Sequence, residues 1–473
     1  MIPSKILTVR GYSVAKDKLT AAQDAMIQSE LTVKANVPPT FAGTVSPFKL
    51  WIASPARYYL PFAWASKKFG KAEADTRPDG APLPSILAFN GALRSHQVEA
   101  LAAFRKAENN GIICLPCGYG KTFTGIAAAA ELGKCFLIVV HKEFLADQWT
   151  SELQTLMPGI RIGRIQGEKC DIGDGIDVAI AMIQTLCSRS YPVGTFDRFG
   201  FALFDEVHHL GAEHFSQALQ RISCRRMLGL TATPKRTDGL SKVFEMYLGS
   251  IVYQIERRPK DDTVIAETLR YTCADDTDLP VNWKGETCRA KMINQIAEYA
   301  PRTDAILDWL MPIMAEEGRR LLILSDRREH LIAFEHGFKA RGIDSTGYYV
   351  GGMKQKDLDI SATKRVILGT FAMASEGMNI PVLNTVLLAT PKSNIEQSVG
   401  RILRQKKEDR TVQPMILDVM DAAFPECYGQ WVKRKKFYVE CGYRVRWYGE
   451  KEEETTGAKE TDKKGVCMIV DDD

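Results

Sequence analysis

The sequence predicts an α/β protein with two parallel-sheet domains in tandem, a small N-terminal domain before them and a disordered tail after them. Short apolar strands alternate with helices from residue 85 to about 255, and a second series of the same kind runs from 320 to about 421. Such alternation is typical of a parallel sheet that helices cover on both faces. The length of 473 residues suits about three domains.

Residues 1–84 are expected to form an N-terminal accessory domain, with aromatic side chains concentrated between 51 and 69. Aromatic residues at this density usually bury one another in a small core. The alternative is a domain that also grips duplex DNA through basic side chains, with affinity that depends strongly on salt. The candidate side chains for that grip are Arg57, Lys67 and Lys68. Residues 75–84 hold three prolines and Gly80, which predicts a linker.

The first parallel-sheet domain is expected at 85–255 and the second at 301–448, joined by a linker over 256–300. Strands predicted for the first are Ile112–Leu115, Cys135–His141, Asp177–Met182, Phe201–Asp205 and Met227–Leu230. Strands predicted for the second are Leu321–Ser325, Val366–Gly369, Thr385–Ala389 and Met415–Val419. Residues 449–473 are mostly Glu, Lys, Thr and Asp with little to bury, which predicts the disordered tail.

Composition narrows the class of protein. The net charge is only +4, so a polyanion must be met by local patches and not by a general basic field. The 11 cysteines form no paired framework, which favours a reducing intracellular compartment. The chain lacks both the run of ~18 apolar residues that spans a membrane and the apolar core of a signal peptide. We therefore expect a soluble intracellular protein with no membrane partner.

A phosphate-binding loop is predicted where an apolar strand ends and a helix begins. Leu115–Thr122 includes Gly-Lys-Thr, and the run from Phe123 that follows reads as a helix. Backbone N–H groups and the positive end of the helix cradle phosphates, the lysine reaches the outer phosphates, and the threonine hydroxyl meets Mg²⁺. The candidate nucleotide-binding residues of this loop are Pro116, Cys117, Gly118, Tyr119, Gly120, Lys121 and Thr122.

A second element, Phe201–His208, follows at a distance suited to a later strand of the same sheet. It ends in Asp205-Glu206, of which the aspartate is expected to join Thr122 at Mg²⁺ and the glutamate to polarise the attacking water. Together with Lys121, this pair predicts hydrolysis of a nucleoside triphosphate.

Further motifs occur in a fixed order around these two elements. They are Leu93–Gln97, Leu230–Pro234, Gly369–Thr370, Ser375–Pro381 and Gln397–Arg404. The ordered set resembles that of the superfamily 2 helicases with a DExH box, over roughly residues 90 to 430. This resemblance implies two RecA-like domains that bind ATP with Mg²⁺ in the cleft between them, with nucleic acid running across both. It also implies stepping along one strand, 3′ to 5′ by analogy with the family.

The branch of the superfamily is indicated by an extended motif at Thr231–Gly239, which resembles that of the XPB-like and UvsW-like DNA helicases. Three further segments resemble helicases of large DNA viruses that are similar to the poxvirus transcript-release helicase. They are Arg57–Pro61, Arg320–Leu331 and Gly351–Lys354. A viral protein of this kind would act in the host cytoplasm, at the virus factory, and could enter the virion.

The resemblance also implies roles for single residues. Gln97 and its neighbour Arg94 would read the adenine; a surface glutamine is the plainer alternative. Arg401 and Arg404 lie three apart, hence on one helix face, and would neutralise charge on the γ-phosphate, unless they form a solvated basic face. Residues that would couple ATP state to movement are His208, Thr231, Ala232, Thr233, Gly377 and Gln397.

Contacts to nucleic acid are expected where predicted strands end, because backbone amides and hydroxyls there can meet phosphates. The candidates are His141, Lys142, Gln184, Thr185, Gly351, Gly352, Gly369 and Thr370. A second candidate is the basic and aromatic segment 431–448, which either binds nucleic acid or is simply solvated. Phosphate contacts carry no sequence information, so movement without base specificity is predicted.

The function that these patterns favour is an ATP-dependent DNA helicase or translocase acting in transcription or on branched DNA. Its partners would be single-stranded, branched or duplex DNA, with RNA in a transcription complex, an RNA polymerase or transcription factors as further candidates. The alternatives are an RNA helicase or duplex-RNA ATPase, a silent binding scaffold, and the motor subunit of a restriction system. Intact Lys121, Asp205, Glu206, Arg401 and Arg404 oppose the scaffold.

Overall fold

A computed structural model gives an α/β protein that divides into two compact units, Met1–Glu256 and Arg257–Asp473. The structure describes residues 3–34, 46–116, 118–208, 213–222, 224–232, 240–255, 260–273, 280–281, 285, 287–376, 378, 380–403, 405 and 407–449. Four residues of the predicted sites lie outside these ranges, namely Cys117, Thr233, Gly377 and Arg404. Positions 234–239 of the extended motif and all of the predicted tail except Gly449 also lie outside them.

The N-terminal part of the first unit is a small sheet with two helices. Its elements are β1 (Lys5–Thr8), β2 (Gly11–Ala15), α1 (Ala21–Glu30), β3 (Thr32–Val33), β4 (Phe48–Lys49), β5 (Ile52–Ala53), β6 (Arg57–Leu60), α2 (Phe62–Phe69) and β7 (Ala74–Asp75). Five strands pair in the order β5-β6-β2-β1-β7. Helix α1 begins at a capping box in which the hydroxyl of Thr20 accepts from the backbone N–H of Gln23. We call residues 3–75 of the described chain the N-terminal module.

The segment 75–84, expected to be a linker, is instead fastened to the parallel-sheet domain. The amide of Ala81 donates to the carbonyl of Arg198 at 2.8 Å, and the carbonyl of Ala81 accepts from the amide of Cys135 at 2.8 Å. Gly80 has φ +77°, and a Cβ there would lie 2.1 Å from the amide nitrogen of Gly200. The glycine is therefore required for this close approach, and the prolines mark an extended, anchored segment rather than a flexible one.

The N-terminal module and the parallel-sheet domain share one hydrophobic core. Tyr12 and Trp64 of the module belong to the same buried cluster as Phe244 and Tyr247. The hydroxyl of Tyr247 also donates to the carbonyl of Leu50 at 3.0 Å. Removal of residues 1–84 would expose this core, so the aromatic segment has the structural role.

Two of the basic side chains considered for DNA contact have partners inside the module. The guanidinium of Arg57 donates to Ser13 Oγ at 2.6 Å and to the carbonyls of Pro3 and Ser4. Lys68 Nζ lies 2.6 Å from Glu30 Oε1. The face that Arg57 and Lys68 were expected to offer to duplex phosphates is therefore largely committed to internal contacts.

The parallel-sheet domain of the first unit follows. Its elements are α3 (Ser95–Lys106), β8 (Asn110–Cys114), α4 (Lys121–Leu132), β9 (Phe136–Val140), α5 (Glu143–Leu156), β10 (Ile162–Gln166), β11 (Lys169–Cys170), β12 (Val178–Met182), α6 (Ile183–Ser188), β13 (Phe201–Asp205), α7 (Glu213–Arg221), β14 (Arg226–Thr231), α8 (Ser241–Leu248) and β15 (Ile251–Gln254). The strand order is β11-β10-β12-β9-β13-β14-β8-β15, with only the β10–β11 pair antiparallel. All five predicted strands are present, and β10, β11 and β15 are additional, with β11 and β15 at the two edges. The central strands β9 and β12 are buried along their whole length, which explains their unbroken apolar runs.

The second unit holds another parallel sheet. Its elements are β16 (Ile265–Tyr271), α9 (Arg289–Glu298), α10 (Ala300–Met314), β17 (Leu321–Ser325), α11 (Arg328–Ala340), β18 (Thr346–Tyr349), α12 (Gln355–Ala362), β19 (Val366–Thr370), α13 (Phe371–Glu376), β20 (Thr385–Leu388), α14 (Glu396–Val399), β21 (Met415–Asp421), α15 (Pro425–Glu440) and β22 (Arg444–Trp447). The strand order is β18-β19-β17-β20-β21-β16-β22. The expected linker 256–300 is corrected here, because β16 lies within it and pairs with both β21 and β22.

The basic and aromatic segment near the C-terminus is mainly structural. Arg434 is 1% exposed and its guanidinium forms an ion pair with Asp418 at 2.8 Å. Tyr438 is fully buried and donates to the same carboxylate at 2.9 Å. The helix that carries them therefore covers the sheet with one face, and its other face, which includes Lys433, Tyr428 and Val432, is exposed. Within the described ranges, no helix is long and apolar enough to cross a membrane.

Candidate nucleotide site and nucleic-acid edge

The candidate nucleotide site lies at the carboxyl ends of the three neighbouring strands β13, β14 and β8. Asp205 ends β13 and pairs in register with Leu230 of β14, while Thr231 pairs with Cys114 of β8. The phosphate-binding loop leaves β8 at this edge and enters α4 at Lys121. Parallel strands bring their carboxyl ends together, so motifs far apart in sequence meet here.

The loop takes the conformation that a phosphate cradle requires. Gly118 and Gly120 have φ +85° and +75°, and Gly120 is the left-handed residue before α4. A Cβ on Gly120 would lie 2.5 Å from Gln97 Nε2, so only glycine fits between the loop and α3. The amide of Tyr119 donates to the carbonyl of Pro116 at 3.2 Å, which closes the turn.

Gln97 holds the phosphate-binding loop through hydrogen bonds from its side chain. Its Nε2 donates to the carbonyls of Tyr119 and Gly120 at 3.4 and 3.3 Å, and its Oε1 accepts from the amide of Arg94 at 2.8 Å. Gln97 is 3% exposed, whereas Arg94 is exposed at the start of α3. The glutamine expected to read adenine thus bonds to the phosphate loop itself.

The structure brings the predicted residues Lys121, Glu206 and His208 together at this edge. Lys121 Nζ lies 3.4 Å from Glu206 Oε1, and the other oxygen of Glu206 lies 3.4 Å from His208 Nδ1. His208 Nδ1 also lies 3.2 Å from the hydroxyl of Thr231. A chain of polar contacts therefore runs from the phosphate loop through Glu206 and His208 to the end of β14. Glu206 itself has φ +47°, an unusual backbone that turns its side chain away from the strand direction.

Asp205 is held by two donors. The indole N–H of Trp149 donates to Asp205 Oδ2 at 2.9 Å, and the amide of Glu206 donates to Oδ1 at 3.0 Å. Burial, and then the charge of Glu206, raise the pKa of Asp205 to about 6, while the Trp149 hydrogen bond opposes that rise. Trp149 was not among the predicted site residues, and nothing in its local sequence marks it.

Trp149 reaches Asp205 because α4 and α5 approach closely. Trp149 is 1% exposed, and a Cβ on Gly125 of α4 would lie 3.1 Å from its ring and 2.5 Å from Leu203 Cδ1. The small residue in α4 thus makes room for the indole.

The residues at this edge suit a triphosphate with Mg²⁺. Helix α4 directs its N-terminus at the loop, Lys121 supplies a cation, and Thr122 and Asp205 supply oxygen ligands. A buried carboxylate with a raised pKa has charge that a divalent cation would compensate. The described ranges contain no cluster of three or more His, Cys, Asp or Glu side chains suited to a metal.

The predicted nucleic-acid residues of the first unit lie together on the next two strands. His141 follows β9 and Gln184 follows β12, and Gln184 Nε2 donates to the carbonyl of His141 at 2.7 Å. Thr185 is 7% exposed and accepts from the amide of Gly167 at 3.0 Å. Burial lowers the pKa of both His141 and Lys142.

The corresponding residues of the second unit also lie at one edge. Gly351 and Gly352 follow β18, and Thr370 ends the neighbouring strand β19 after Gly369. Both exposed glycines lie in the turn that Arg328 caps by donating to the carbonyl of Gly351.

The arginine motif of the second unit differs from its expected geometry. Helix α14 ends at Val399, so Arg401 follows the helix instead of lying on it, and position 404 is outside the described residues. Arg401 is 8% exposed, and its Nη1 donates to the carbonyl of Met378 at 2.8 Å. Gln397 lies within α14 and is partly exposed.

Comparison with known proteins gives the family. The model described as "Type III restriction enzyme, res subunit" matches residues 90–236. L396 of Acanthamoeba polyphaga mimivirus, whose name is that of an ATP-dependent RNA helicase, is 30% identical over 462 residues, covering 93% of this chain and 86% of that protein. XPB2 of Sulfurisphaera tokodaii, named as a DNA 3′-5′ translocase, is 33% identical over 183 residues, covering 37% and 38%.

A solved structure agrees with the fold. S. cerevisiae Dbp5 bound to RNA and ADP BeF3 superposes with a TM-score of 0.55 at 11% identity, covering 75% of this chain and 89% of that one. The two parallel-sheet domains are therefore RecA-like. The chain belongs to the superfamily 2 helicases of the XPB- and UvsW-like type and is a nucleic-acid-dependent ATPase.

Proposed function

We propose that the chain hydrolyses ATP at the edge formed by β8, β13 and β14, and the observation that carries this is the placement of Lys121 beside Glu206. The lysine and the loop amides would hold the outer phosphates, and Thr122 and Asp205 would hold Mg²⁺. Bound Mg²⁺ neutralises charge on the β- and γ-phosphates. A phosphate would compete with Glu206 for Lys121, which leaves the carboxylate able to accept a proton from water.

Coupling between ATP hydrolysis and movement along nucleic acid would start at the carboxylate of Glu206. Glu206 and Thr231 both lie within 3.4 Å of His208 Nδ1, so a change at the phosphate is transmitted to the end of β14. Ala232 and Thr233 follow Thr231 in the sequence, and the residues of the second unit that would respond to this change are Gly377, Gln397, Arg401 and Arg404. An arginine that neutralises the transition state is typically worth ~10³–10⁵ in rate.

The nucleic acid that drives this ATPase is proposed to be DNA, along which the protein moves 3′ to 5′. Similarity to a protein named as a DNA translocase supports DNA, and so does the extended motif at Thr231–Gly239. The predicted contacts at His141, Gln184, Gly351 and Thr370 would meet phosphates and not base edges. Transcript release or remodelling of branched DNA are the processes that such a motor suits, with an RNA polymerase or transcription factors as partners.

RNA is the second candidate, because the mimivirus relative is named as an RNA helicase. The experiment that decides is steady-state ATP hydrolysis with single-stranded DNA, duplex DNA, forked DNA, single-stranded RNA and duplex RNA at matched nucleotide concentration. DNA is expected to stimulate at least tenfold more than RNA of the same form. Stronger stimulation by RNA would replace DNA by RNA in the proposal, and stimulation by neither would remove the motor function.

A further inference from the structure

A groove runs between the N-terminal module and the parallel-sheet domain, on the side away from the nucleotide site. Its larger part has a volume of about 600 Å³ and lies between the β1–β2 turn and residues 190–197, which lead into the amino end of β13. A smaller part of about 300 Å³ continues it, and the two share Ile52, Gln220 and Arg221. The nucleotide site uses the carboxyl end of the same strand, so the groove is a separate surface.

Two pairs of a cation and an aromatic ring lie at the groove. Arg10 is exposed and its guanidinium lies 5.5 Å from the ring centroid of Tyr59, which lines the larger part. Lys49 lines the smaller part, and its Nζ lies 4.7 Å from the ring centroid of Trp51. Proteins that bind single strands use aromatic rings on which bases stack, with nearby cations that meet the phosphates.

The charge of the groove is positive. Arg10, Lys49 and Arg221 line it, and Asp197 is the only carboxylate that does so. Within the described part of the chain, none of these three cations has a carboxylate within ion-pair distance, and Arg221 Nη1 donates to the carbonyl of Leu186 at 2.6 Å. A polyanion would therefore find cations that no internal salt bridge neutralises.

Two exposed aliphatic side chains line the groove from its two sides. Val193 is 87% exposed on the 190–197 segment, and Ile52 is 40% exposed on β5 of the module. The two sides belong to one body, because they share a buried core and the hydroxyl of Tyr247 donates to the carbonyl of Leu50 in the module at 3.0 Å. The groove is therefore held open by the fold and needs no rearrangement to accept a flat apolar ring.

We propose that this groove binds a single-stranded segment of nucleic acid, with a base between Ile52 and Val193 and phosphates at Arg10, Lys49 and Arg221. A single strand fits better than a duplex, because a duplex hides the base faces that the Arg10–Tyr59 pair and the aliphatic residues would cover. The inference rests on the family's dependence on nucleic acid and not on the choice between DNA and RNA. The groove would give the protein a second nucleic-acid-binding surface, which would hold the unpaired arm of a forked substrate.

The test uses the full-length protein and fluorescein-labelled single strands, blunt duplexes and forks of both DNA and RNA, with binding followed by anisotropy without ATP. Arg10→Ala/Lys49→Ala is compared with Lys18→Ala/Lys71→Ala, which removes the same charge from exposed positions of the module outside the groove. The first variant should bind single strands and forks about tenfold more weakly and blunt duplex within about twofold. Its salt slope on single strands should fall by about 1.4, since each lost phosphate contact on a single strand contributes about 0.7.

A second pair of variants tests the apolar part. Val193→Asp places a carboxylate in the groove, and Ile86→Asp is its control because both side chains are 87% exposed. Only Val193→Asp should weaken single-strand binding. Equal loss on blunt duplex, or no loss in either groove variant, would overturn the proposed site. A wild-type preference for RNA would contradict the DNA assignment alone, because the groove variants would still lose single-strand affinity on RNA.

Discussion

The indole N–H of Trp149 donates to Oδ2 of Asp205 at 2.9 Å, so a buried tryptophan on α5 fixes the carboxylate assigned to Mg²⁺. The amide of Glu206 holds the other oxygen of the same carboxylate. With both oxygens bonded, Asp205 keeps one orientation toward the phosphate loop. Geometry of this kind, rather than the identity of the aspartate alone, sets how well a metal is held.

Trp149→Phe should therefore raise the Mg²⁺ concentration needed for half-maximal ATP hydrolysis by about tenfold, while kcat at saturating Mg²⁺ changes less. Phenylalanine keeps an aromatic ring, although a smaller one, and lacks the indole N–H, and a hydrogen bond to a charged group is worth ~1.5–3 kcal/mol. Trp309→Phe is the matched control, because its indole N–H also donates to a buried carboxylate, Glu267, at 2.7 Å. The same Mg²⁺ shift in both variants would mean that Trp149 acts only through stability.

The raised pKa of Asp205 predicts that Mg²⁺ binding at the nucleotide site weakens at acid pH. The folded pKa is about 6, above the ordinary value of 3.8, so the protonated form, which cannot ligate the metal well, accumulates below pH 6. The apparent Mg²⁺ constant should rise by up to about tenfold for each pH unit below 6 and level off above it. Mg²⁺ titrations between pH 5 and 8 check this. In Trp149→Phe the pH below which the apparent Mg²⁺ constant rises should be higher, because the hydrogen bond that lowers the pKa of Asp205 is gone. The same pH in wild type and variant would contradict that cause.

Asp79 is predicted to fasten the anchored segment 75–84, which follows the N-terminal module, to the parallel-sheet domain in a pH-dependent way. Hydrogen bonds from Lys134, and then Arg226, lower its pKa from 3.8 to about 2. Because the folded pKa is depressed, the stabilisation is present above about pH 4 and is lost as the pH falls toward 2. Asp79→Asn should lower the Tm at pH 7 and have little effect near pH 2. Thermal unfolding at both pH values measures this, and an equal change at both would show that the charge is not responsible.

Arg404→Ala is expected to leave ATP binding nearly normal and to reduce turnover by ~10³ or more, since the side chain is assigned to the transition state. Nucleotide binding and single-turnover hydrolysis, measured on the same preparation, separate the two effects. Arg410→Ala is a control from the same region, because Arg410 pairs with Asp261 at 2.6 Å within the second unit. Hydrolysis at the wild-type rate in Arg404→Ala would remove this arginine from the active site.

Sequence patterns predicted the strands at the centre of both sheets correctly. Phe201–Asp205 and Leu321–Ser325 match β13 and β17 because both strands are apolar throughout, with turn or polar residues at each end. The strand β16 escaped prediction for a physical reason. It comes first in its unit but lies between β21 and β22, so the pairing that stabilises it is remote in sequence.

The residues of the nucleotide site also divide into those that sequence patterns predict and those that they do not. Lys121, Asp205 and Glu206 could be predicted because each chemical role needs a particular residue type at a fixed spacing. Trp149 could not, because its role depends on how closely α4 and α5 pack at Gly125. The prediction of a linker at 75–84 was wrong for a related reason. Proline fixes the chain in an extended form whether the segment is free or anchored.

Displacement of a third strand from duplex DNA tests most directly whether ATP hydrolysis drives movement. A labelled triplex-forming oligonucleotide is bound at one site of a duplex, and its release is followed with ATP and Mg²⁺. Wild-type protein is predicted to release it, while Lys121→Ala, whose pairing with Glu206 at 3.4 Å marks the phosphate site, should bind the duplex without releasing the third strand. DNA-stimulated ATP hydrolysis by the wild type without release, or release by Lys121→Ala, would contradict the account of this chain as an ATP-driven DNA translocase.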